Sequence, residues 1–236
     1  MCTASWIHED GGFQLLFNRD EKRTRLRAEA PRIQTRGGVL TIAPVDGDHG
    51  GSWISVNEHG VALCLLNGTY GAGGLRSRGL LLLDLADARS AEGALDRLHA
   101  ADPFPYAPFT IGVFEPGRKA SIVEWNGALL NITSEDEAPA PLASSSFDAP
   151  GARMKRREEF ARIMGAGPAN AARLLQFHKS HGAGPDAYSP CMHRADAETV
   201  SFSHVQVSPR EVSFFYTPAA PCQRLPGETI VIPRTS

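Results

Sequence analysis

A cysteine stands at position 2, directly after the initiator methionine. Methionine aminopeptidase removes Met1 before a small residue, so we expect the mature chain to begin at Cys2, with a free α-amine on the same residue as the thiol. The ordinary pKa is about 7.7–8.0 for the amine and about 8.5 for the thiol, so near neutral pH the amine accepts the thiol proton at little cost. A nucleophile with its own base is suited to acyl transfer. The alternative is a cysteine that stands there by chance.

The charged tetrapeptide Asn18-Arg19-Asp20-Glu21 favours the catalytic interpretation. A double glycine at positions 11 and 12 predicts a hairpin, which brings the end of its second strand back beside the start of its first. At that place Arg19 lowers the pKa of the Cys2 thiol, and the Asp20 carboxylate holds the ammonium form of the amine. The alternative interpretation is a solvated polar turn.

These residues resemble the NRDE family, which is named for this tetrapeptide and includes the transport and Golgi organisation protein 2 of animals. That family also has a Gly-Thr-Trp element followed by a strand pair. Gly51-Ser52-Trp53 is similar to the element, and the stretch from Asn57 to Asn67 is similar to the strand pair.

The second half of the chain resembles the cysteine-type acylases and acyltransferases, the group of penicillin V acylase, bile salt hydrolase and acyl-CoA:6-aminopenicillanate acyltransferase. Thr199-Val200-Ser201 and the stretch from Thr217 to Cys222 are similar to a strand and a turn near the C-terminus of those enzymes. Both resemblances imply an N-terminal nucleophile (Ntn) hydrolase fold, in which two antiparallel sheets lie between helical layers.

The resemblances imply a role for each of four residues. Cys2 matches the nucleophile, Asp20 the carboxylate that holds its amine, and Arg19 the nearby cation. Asn67 matches the acylase asparagine that helps to form the oxyanion hole, where loss of one donor typically costs about 100- to 1,000-fold in rate.

This sequence departs from the acylase pattern at three places. The acylase arginine precedes the aspartate by three residues, whereas Arg19 and Asp20 are adjacent. Serine replaces a second acylase asparagine, and Ser144 can supply a weaker donor. A late acylase arginine has its match in Arg194. The predicted catalytic set is therefore Cys2, Arg19, Asp20, Asn67, Ser144 and Arg194.

The composition is that of one globular domain, residues 1–236, with 42% hydrophobic and 21% charged residues. A net charge of −2 argues against nucleic acid or an anionic membrane as a partner. No apolar run approaches the roughly 20 residues that span a bilayer, and the first residues lack the features of a secretory signal, so we expect a cytoplasmic protein. Its four cysteines contain no C-x-x-C pair and are expected to be free thiols. Whether it forms a homo-oligomer stays open.

Hydrophobic spacing and turn signals predict clusters of strands and clusters of helices. We expect an irregular connection over 18–36, one helix over 78–100 and a loop over 134–150, with further helices over 152–164 and 170–177. Strands are predicted over 5–7, 13–17, 39–43, 53–56, 61–66, 109–114, 120–125, 129–133, 199–207, 212–216 and 229–232. This clustering is typical of an α+β fold with antiparallel sheets, and the resemblances imply a four-layer αββα sandwich.

Other residues capable of chemistry have simpler interpretations. Cys191 and His193 form one pair of the metal-ligand type, which is weak evidence without a second pair, and His178 and His181 are typical of surface residues. Cys64, inside an apolar strand, is expected in the core. We therefore predict no metal and no cofactor.

For two further segments the sequence predicts a position in the structure but no part in the reaction. The glycines Gly71, Gly73 and Gly74 are expected to edge the substrate pocket. The basic segment from Arg153 to Arg157 is expected to form a solvated helix face, or alternatively to steer an anionic substrate such as an acyl-CoA.

The function that follows is an Ntn-type amidohydrolase or acyltransferase. Cys2 attacks a linear, non-peptide amide or thioester of a small molecule, its own amine moves the proton, and water or an amine resolves the acyl-enzyme. The alternative is a non-catalytic binding or trafficking protein on the same fold, because NRDE members are associated with haem handling and membrane trafficking. The chain offers His and Cys as haem ligands but no attachment motif.

Overall fold

The computed structural model describes residues 2–68, 74–165, 167 and 169–235. In these residues the strands are β1 Cys2–Glu9, β2 Gly12–Lys22, β3 Glu29–Arg36, β4 Val39–Val45, β5 Ile54–Asn57, β6 Ala62–Asn67, β7 Phe109–Phe114, β8 Ser121–Trp125, β9 Leu130–Ser134, β10 Leu142–Ser144, β11 Ala197–Val207, β12 Glu211–Thr217 and β13 Glu228–Pro233. The helices are α1 Arg78–Leu85, α2 Ala91–Ala100, α3 Ala149–Met164 and α4 Ala171–Lys179, and a short 3-10 turn covers Pro221–Gln223.

The strands form two antiparallel sheets that differ in strand order. The first sheet has the order β10-β1-β2-β11-β12-β13 and joins both ends of the chain. The second sheet runs from β3 to β9 in chain order, so each of its strands pairs with its neighbour in sequence. β1 therefore lies between two partners, β10 and β2, one strand in from the edge of the first sheet.

The main core lies between the sheets and is built by alternation along the strands. Side chains of one strand point alternately to opposite faces. Ala4 and Trp6 of β1 pack in one buried cluster with Ile54 and Val56 of β5, which belong to the second sheet. Burial of such a cluster is the dominant stabilising contribution, at about 25 cal/mol per Å² of apolar surface.

Helices cover the outer face of each sheet. Leu82 of α1 and Leu98 of α2 pack with Leu63 of the second sheet, and Leu174 of α4 packs with Leu16 of the first sheet. The result is an α+β sandwich of two antiparallel sheets between helices, which confirms the predicted fold class.

The prediction of an irregular connection over 18–36 is wrong. β2 continues to Lys22, and Glu29–Arg36 forms β3. The polar residues remain extended because β1 and β11 bond to the two edges of β2, and β4 bonds to β3. Hydrogen bonds to neighbouring strands, of which β11 is far away in the sequence, thus override a polar sequence.

The single helix predicted over 78–100 is two helices, α1 and α2. The buried Asn57 donates hydrogen bonds from Nδ2 to the carbonyls of Ala86 and Ala88, at 3.0 and 2.7 Å. Those two carbonyls therefore have hydrogen-bond partners although the helix does not continue past them. Ser90 then begins α2, since its side chain accepts a hydrogen bond from the N–H of Gly93.

The loop predicted over 134–150 contains a strand and the start of a helix. β10 is a three-residue strand that pairs with the beginning of β1. α3 begins at Ala149 rather than at 152, because the Asp148 side chain accepts a hydrogen bond from the N–H of Gly151 and a proline lies in the first turn.

None of the helices in the described residues has the length and apolar character needed to cross a membrane.

His178 is buried, so its prediction as a surface residue is wrong. Its Nε2 lies 2.8 Å from the Ser5 hydroxyl, and its backbone carbonyl accepts a hydrogen bond from Asn18. Burial, followed by the positive charges of His204 and Arg156, lowers the pKa of His178 from 6.5 to about 3. The ring is therefore neutral in the folded protein at physiological pH.

Acid is expected to destabilise the fold through His178. Well above pH 6.5 the ring is neutral in both the folded and the unfolded state. As the pH falls towards 3 the unfolded chain binds a proton that the folded chain does not, at a cost of up to about 1.4 kcal/mol per pH unit. Between pH 7 and pH 5 the wild type should lose about 2 kcal/mol more unfolding free energy than His178→Gln in urea titrations. The exposed-site control His99→Gln should behave as wild type; equal losses in His178→Gln and wild type would refute the expectation.

Candidate active site

Strand pairing decides which residues surround Cys2. At the start of β1, Cys2 is paired with Ser144 of β10 on one side and Arg19 of β2 on the other. Asp20 is the next residue of β2 after Arg19. The hairpin therefore returns the charged tetrapeptide to the beginning of β1, as its sequence predicted.

A cavity of about 400 Å³ opens at this end of the sandwich. Four of the six predicted site residues line it together: Cys2, Arg19, Asp20 and Asn67. Ser52 and Trp53, from the family-like Gly-Ser-Trp element, form part of its wall.

Burial makes Cys2 an ordinary thiol at rest rather than a thiolate. Only 6% of the residue is exposed. Burial raises the pKa of the Cys2 thiol, and the nearby Asp20 carboxylate adds to the rise, whereas the charge of Arg19 and a hydrogen bond from the Asp20 backbone lower it. Thiolate formation at neutral pH therefore requires a base close to the sulfur.

Asp20 forms a fully buried ion pair with Arg156 of α3. The Arg156 Nη2 lies 3.1 Å from Asp20 Oδ2, and both side chains have no exposed surface. The hydroxyl of Thr199 donates to Asp20 Oδ1 at 2.7 Å, and Arg156 Nη1 donates to the Cys2 carbonyl at 3.1 Å. One arginine thus connects the carboxylate to the backbone of the proposed nucleophile.

Arg156 is the site residue that sequence reasoning missed, because the basic segment of α3 was assigned to a solvated face. Arg153 and Arg157 are exposed, as expected. The available signal was helical spacing: Ala152, Arg156 and Ile163 are buried, and such spacing puts them on one face of the helix. An arginine among small and apolar residues at that spacing points into the protein.

Arg19 forms part of the cavity wall, where acidic partners neutralise it. Its Nη2 pairs with Asp46 and lies 3.6 Å from Glu21. The guanidinium stacks on the indole of Trp53, 4.2 Å from the ring centroid. Arg25 shares Asp46, with Nη2 2.7 Å from its Oδ1. Arg19 is the β2 partner of Cys2, and its positive charge lowers the pKa of the Cys2 thiol.

Asn67 and Ser144 supply polar groups close to the beginning of β1. Asn67, the last residue of β6, lines both the main cavity and a neighbouring cavity of about 270 Å³ that also includes Ser144. The Ser144 hydroxyl is buried and has no hydrogen-bond partner among the described residues. A buried donor without a partner is costly, so this hydroxyl is suited to bind a group that enters the site.

The remaining predicted residues lie elsewhere or outside the described residues. Arg194 pairs with Asp196 at 2.8 Å and stacks on Phe147, and it lines neither cavity. Of the glycines, Gly74 lines the main cavity, whereas Gly71 and Gly73 lie outside the described residues.

Two antiparallel sheets between helical layers, with a cysteine at the start of an inner strand, are the arrangement of the Ntn-hydrolase fold. Penicillin V acylase from Agrobacterium tumefaciens matches with a TM-score of 0.57 and 12% identity, over 99% of this chain and 86% of that one. An N-acylethanolamine-hydrolyzing acid amidase ortholog from Caenorhabditis elegans matches at 0.60 and 12%, over 86% and 92%. A conjugated bile acid hydrolase variant from Clostridium perfringens matches at 0.56 and 13%, over 100% and 97%.

Within this fold class, the chain belongs to the transport and Golgi organisation 2 family, whose model matches residues 1–145. The match includes the tetrapeptide and Ser144, and ends at Ser145. A comparison with curated proteins gives no match.

Removal of the buried guanidinium tests the ion pair. Arg156→Met leaves the Asp20 carboxylate in a buried place without that positive charge, so we expect the unfolding free energy to fall by about 3–5 kcal/mol in urea titrations. The exposed neighbour provides a matched control, and Arg157→Met should change it by less than about 0.5 kcal/mol. Equal stability of the two variants would contradict the role of Arg156.

Proposed function

We propose that this chain is an N-terminal-cysteine amidohydrolase or acyltransferase that forms an acyl-enzyme on Cys2. The observation that supports it best is the shared cavity, which Cys2 lines together with Asp20, Arg19 and Asn67. Acyl transfer needs a nucleophile, charged groups that stabilise its ionised forms and a hydrogen-bond donor for the oxyanion, and these side chains can supply all three.

The first step is proton transfer from the thiol. Removal of Met1 makes the α-amine of Cys2 the nearest base, and the amine takes the Sγ proton as the sulfur attacks the carbonyl carbon. The ammonium group that results is stabilised by the Asp20 carboxylate, which Arg156 and Thr199 hold in place. Because burial raises the pKa of the Cys2 thiol, little thiolate is present at rest, and the amine accepts the proton as the sulfur attacks.

The second requirement is a donor for the negative oxygen of the tetrahedral intermediate. Asn67 lines the Cys2 cavity and, with Ser144, a neighbouring cavity, and Ser144 is the β10 partner of Cys2. Both are neutral donors. When the intermediate collapses, the ammonium group gives its proton to the leaving amine or thiol, and the acyl group remains on Sγ as a thioester.

The acyl-enzyme is then resolved by water or by an amine. Water gives a carboxylic acid and makes the chain a hydrolase; an acceptor amine gives a new amide and makes it an acyltransferase. The same α-amine removes the proton from either attacker. We propose a linear amide or thioester of a small molecule as substrate, in line with the names acylase, amidase and bile acid hydrolase that the structural matches carry.

The proposal includes the remaining sequence predictions about the protein as a whole. Residues 1–236 act as a single Ntn-hydrolase-like domain, and the protein works in the cytoplasm, where its thiols remain reduced. Arg194 lies outside both cavities, so we propose Arg156 as the buried arginine of the site.

Processing and thiol reactivity provide the first test. We expect the intact mass to show that Met1 is absent from most molecules, and iodoacetamide to label Cys2 before Cys64. Burial raises the pKa of the Cys64 thiol to about 12, and this thiol has no amine on its own residue. Retained Met1, or equal labelling rates for both cysteines, would overturn the proposal.

Acyl-enzyme formation provides the second test. With 4-nitrophenyl acetate as probe, the wild type should release a burst of 4-nitrophenolate and carry an acetyl group on Cys2. Cys2→Ala should lose the burst, whereas Cys64→Ala should keep it. Asn67→Ala should slow the burst by about 100- to 1,000-fold, and the control Asn131→Ala, on β9 and outside both cavities, should leave it unchanged. A burst that survives in Cys2→Ala would exclude the mechanism.

A further inference from the structure

Four side chains that can bind a metal ion meet behind the proposed active site. His181, Cys191 and His193 come from the irregular segment after α4, and Cys222 comes from the 3-10 turn after β12. Each offers one ligand atom, and these atoms all lie within 4.8 Å of one another. None of the four lines the Cys2 cavity.

The distances within this His₂Cys₂ cluster fit tetrahedral coordination. The Nε2 of His193 lies 3.6 Å from the Cys191 sulfur and 3.4 Å from the Cys222 sulfur. A tetrahedral zinc ion with Zn–S of about 2.3 Å and Zn–N of about 2.0–2.1 Å separates its sulfur and nitrogen ligands by about 3.5 Å. Both measured separations therefore match an edge of that tetrahedron.

A second observation also indicates a ligand. The Nε2 atom of His181 is buried and has no hydrogen-bond partner among the described residues. A buried nitrogen without a partner is unfavourable by about 1–3 kcal/mol. The ring lies 5.1 Å from that of His193, at an interplanar angle of 78°, so the unsatisfied residue belongs to the cluster itself.

We propose that His181, Cys191, His193 and Cys222 bind one zinc ion. Two thiolates and two neutral imidazoles carry a charge of −2, which a divalent cation neutralises, and the two thiol protons leave to solvent on binding. Mixed sulfur and nitrogen ligands select zinc over magnesium or calcium. Four protein ligands complete the tetrahedron, so the ion is structural and not catalytic.

Hydrogen bonds connect the cluster to Asp20 of the proposed active site. Met192, between two of the ligands, donates its N–H to the Thr199 hydroxyl at 2.8 Å and accepts the Thr199 N–H at 2.8 Å. The same hydroxyl donates to Asp20 at 2.7 Å. The zinc ion therefore fixes the segment that holds Thr199, and through Thr199 it positions the carboxylate.

Metal analysis of the full-length protein tests the site. Protein purified without chelators from zinc-supplemented cells should contain about one zinc per chain by elemental mass spectrometry. His181→Ala and Cys222→Ser should each lower that content at least tenfold. The matched controls Cys64→Ala and His99→Gln should retain it, since neither residue belongs to the cluster.

A second measurement does not depend on how much metal the variants retain after purification. Reduced apoprotein titrated with Co²⁺ should develop sulfur-to-cobalt charge-transfer absorption and the intense visible bands of a tetrahedral ion, saturating at one equivalent. Zinc should displace this cobalt and raise the melting temperature. Cys222→Ser should lack the charge-transfer change while its circular dichroism remains that of the folded wild type.

Three results would overturn the proposal. They are zinc content that is unaffected in the ligand variants, failure of reduced apoprotein to bind Zn²⁺ or Co²⁺, and a thiol titration under non-reducing, denaturing conditions that reveals a Cys191–Cys222 disulfide in metal-free protein. Cys2→Ala should lose acyl labelling and keep its zinc, so failure of the metal site and failure of the proposed catalysis are distinguishable.

Discussion

The buried ion pair between Asp20 and Arg156 is the interaction on which the candidate site depends. Removing two charges from water costs several kcal/mol per ion, and the attraction between them offsets this only when the other hydrogen-bonding groups are also satisfied. Here the Thr199 hydroxyl donates a second hydrogen bond to the Asp20 carboxylate, and the Cys2 carbonyl accepts a hydrogen bond from the Arg156 guanidinium. The pair thereby connects α3 to β1, β2 and β11. The positions of the groups around Cys2 are fixed because the two buried charges need these hydrogen-bond partners.

Residues of both sheets border the candidate site. Cys2 and Ser144 belong to neighbouring strands of the first sheet, whereas Asn67 ends a strand of the second. Apolar packing between the sheets fixes their separation, because interiors are close-packed and resist displacement. The cavity forms at the end of the sandwich, where the strands stop and polar side chains replace the apolar ones.

Sequence reasoning succeeded where the deciding interactions are local. The β1–β2, β5–β6 and β7–β8 pairs follow from apolar strands and short turns between neighbours in sequence. It failed where a distant partner decides. The polar end of β2 is extended because β11 bonds to it, and the helix predicted as one piece ends early because Asn57 satisfies its carbonyls. No local pattern contains these partners.

By itself the sequence determined the return of Arg19 and Asp20 to the side of Cys2 and the α+β fold class, since the first depends on one short hairpin and the second on hydrophobic period. Only the tertiary structure decided that Arg156 is buried against Asp20, that Ser144 pairs with Cys2, and that Cys222 joins the cluster around His193. The physical reason is the same in all three cases. Such contacts join residues far apart in the chain, and the free energy that creates them arises only when the two sheets and α3 have packed.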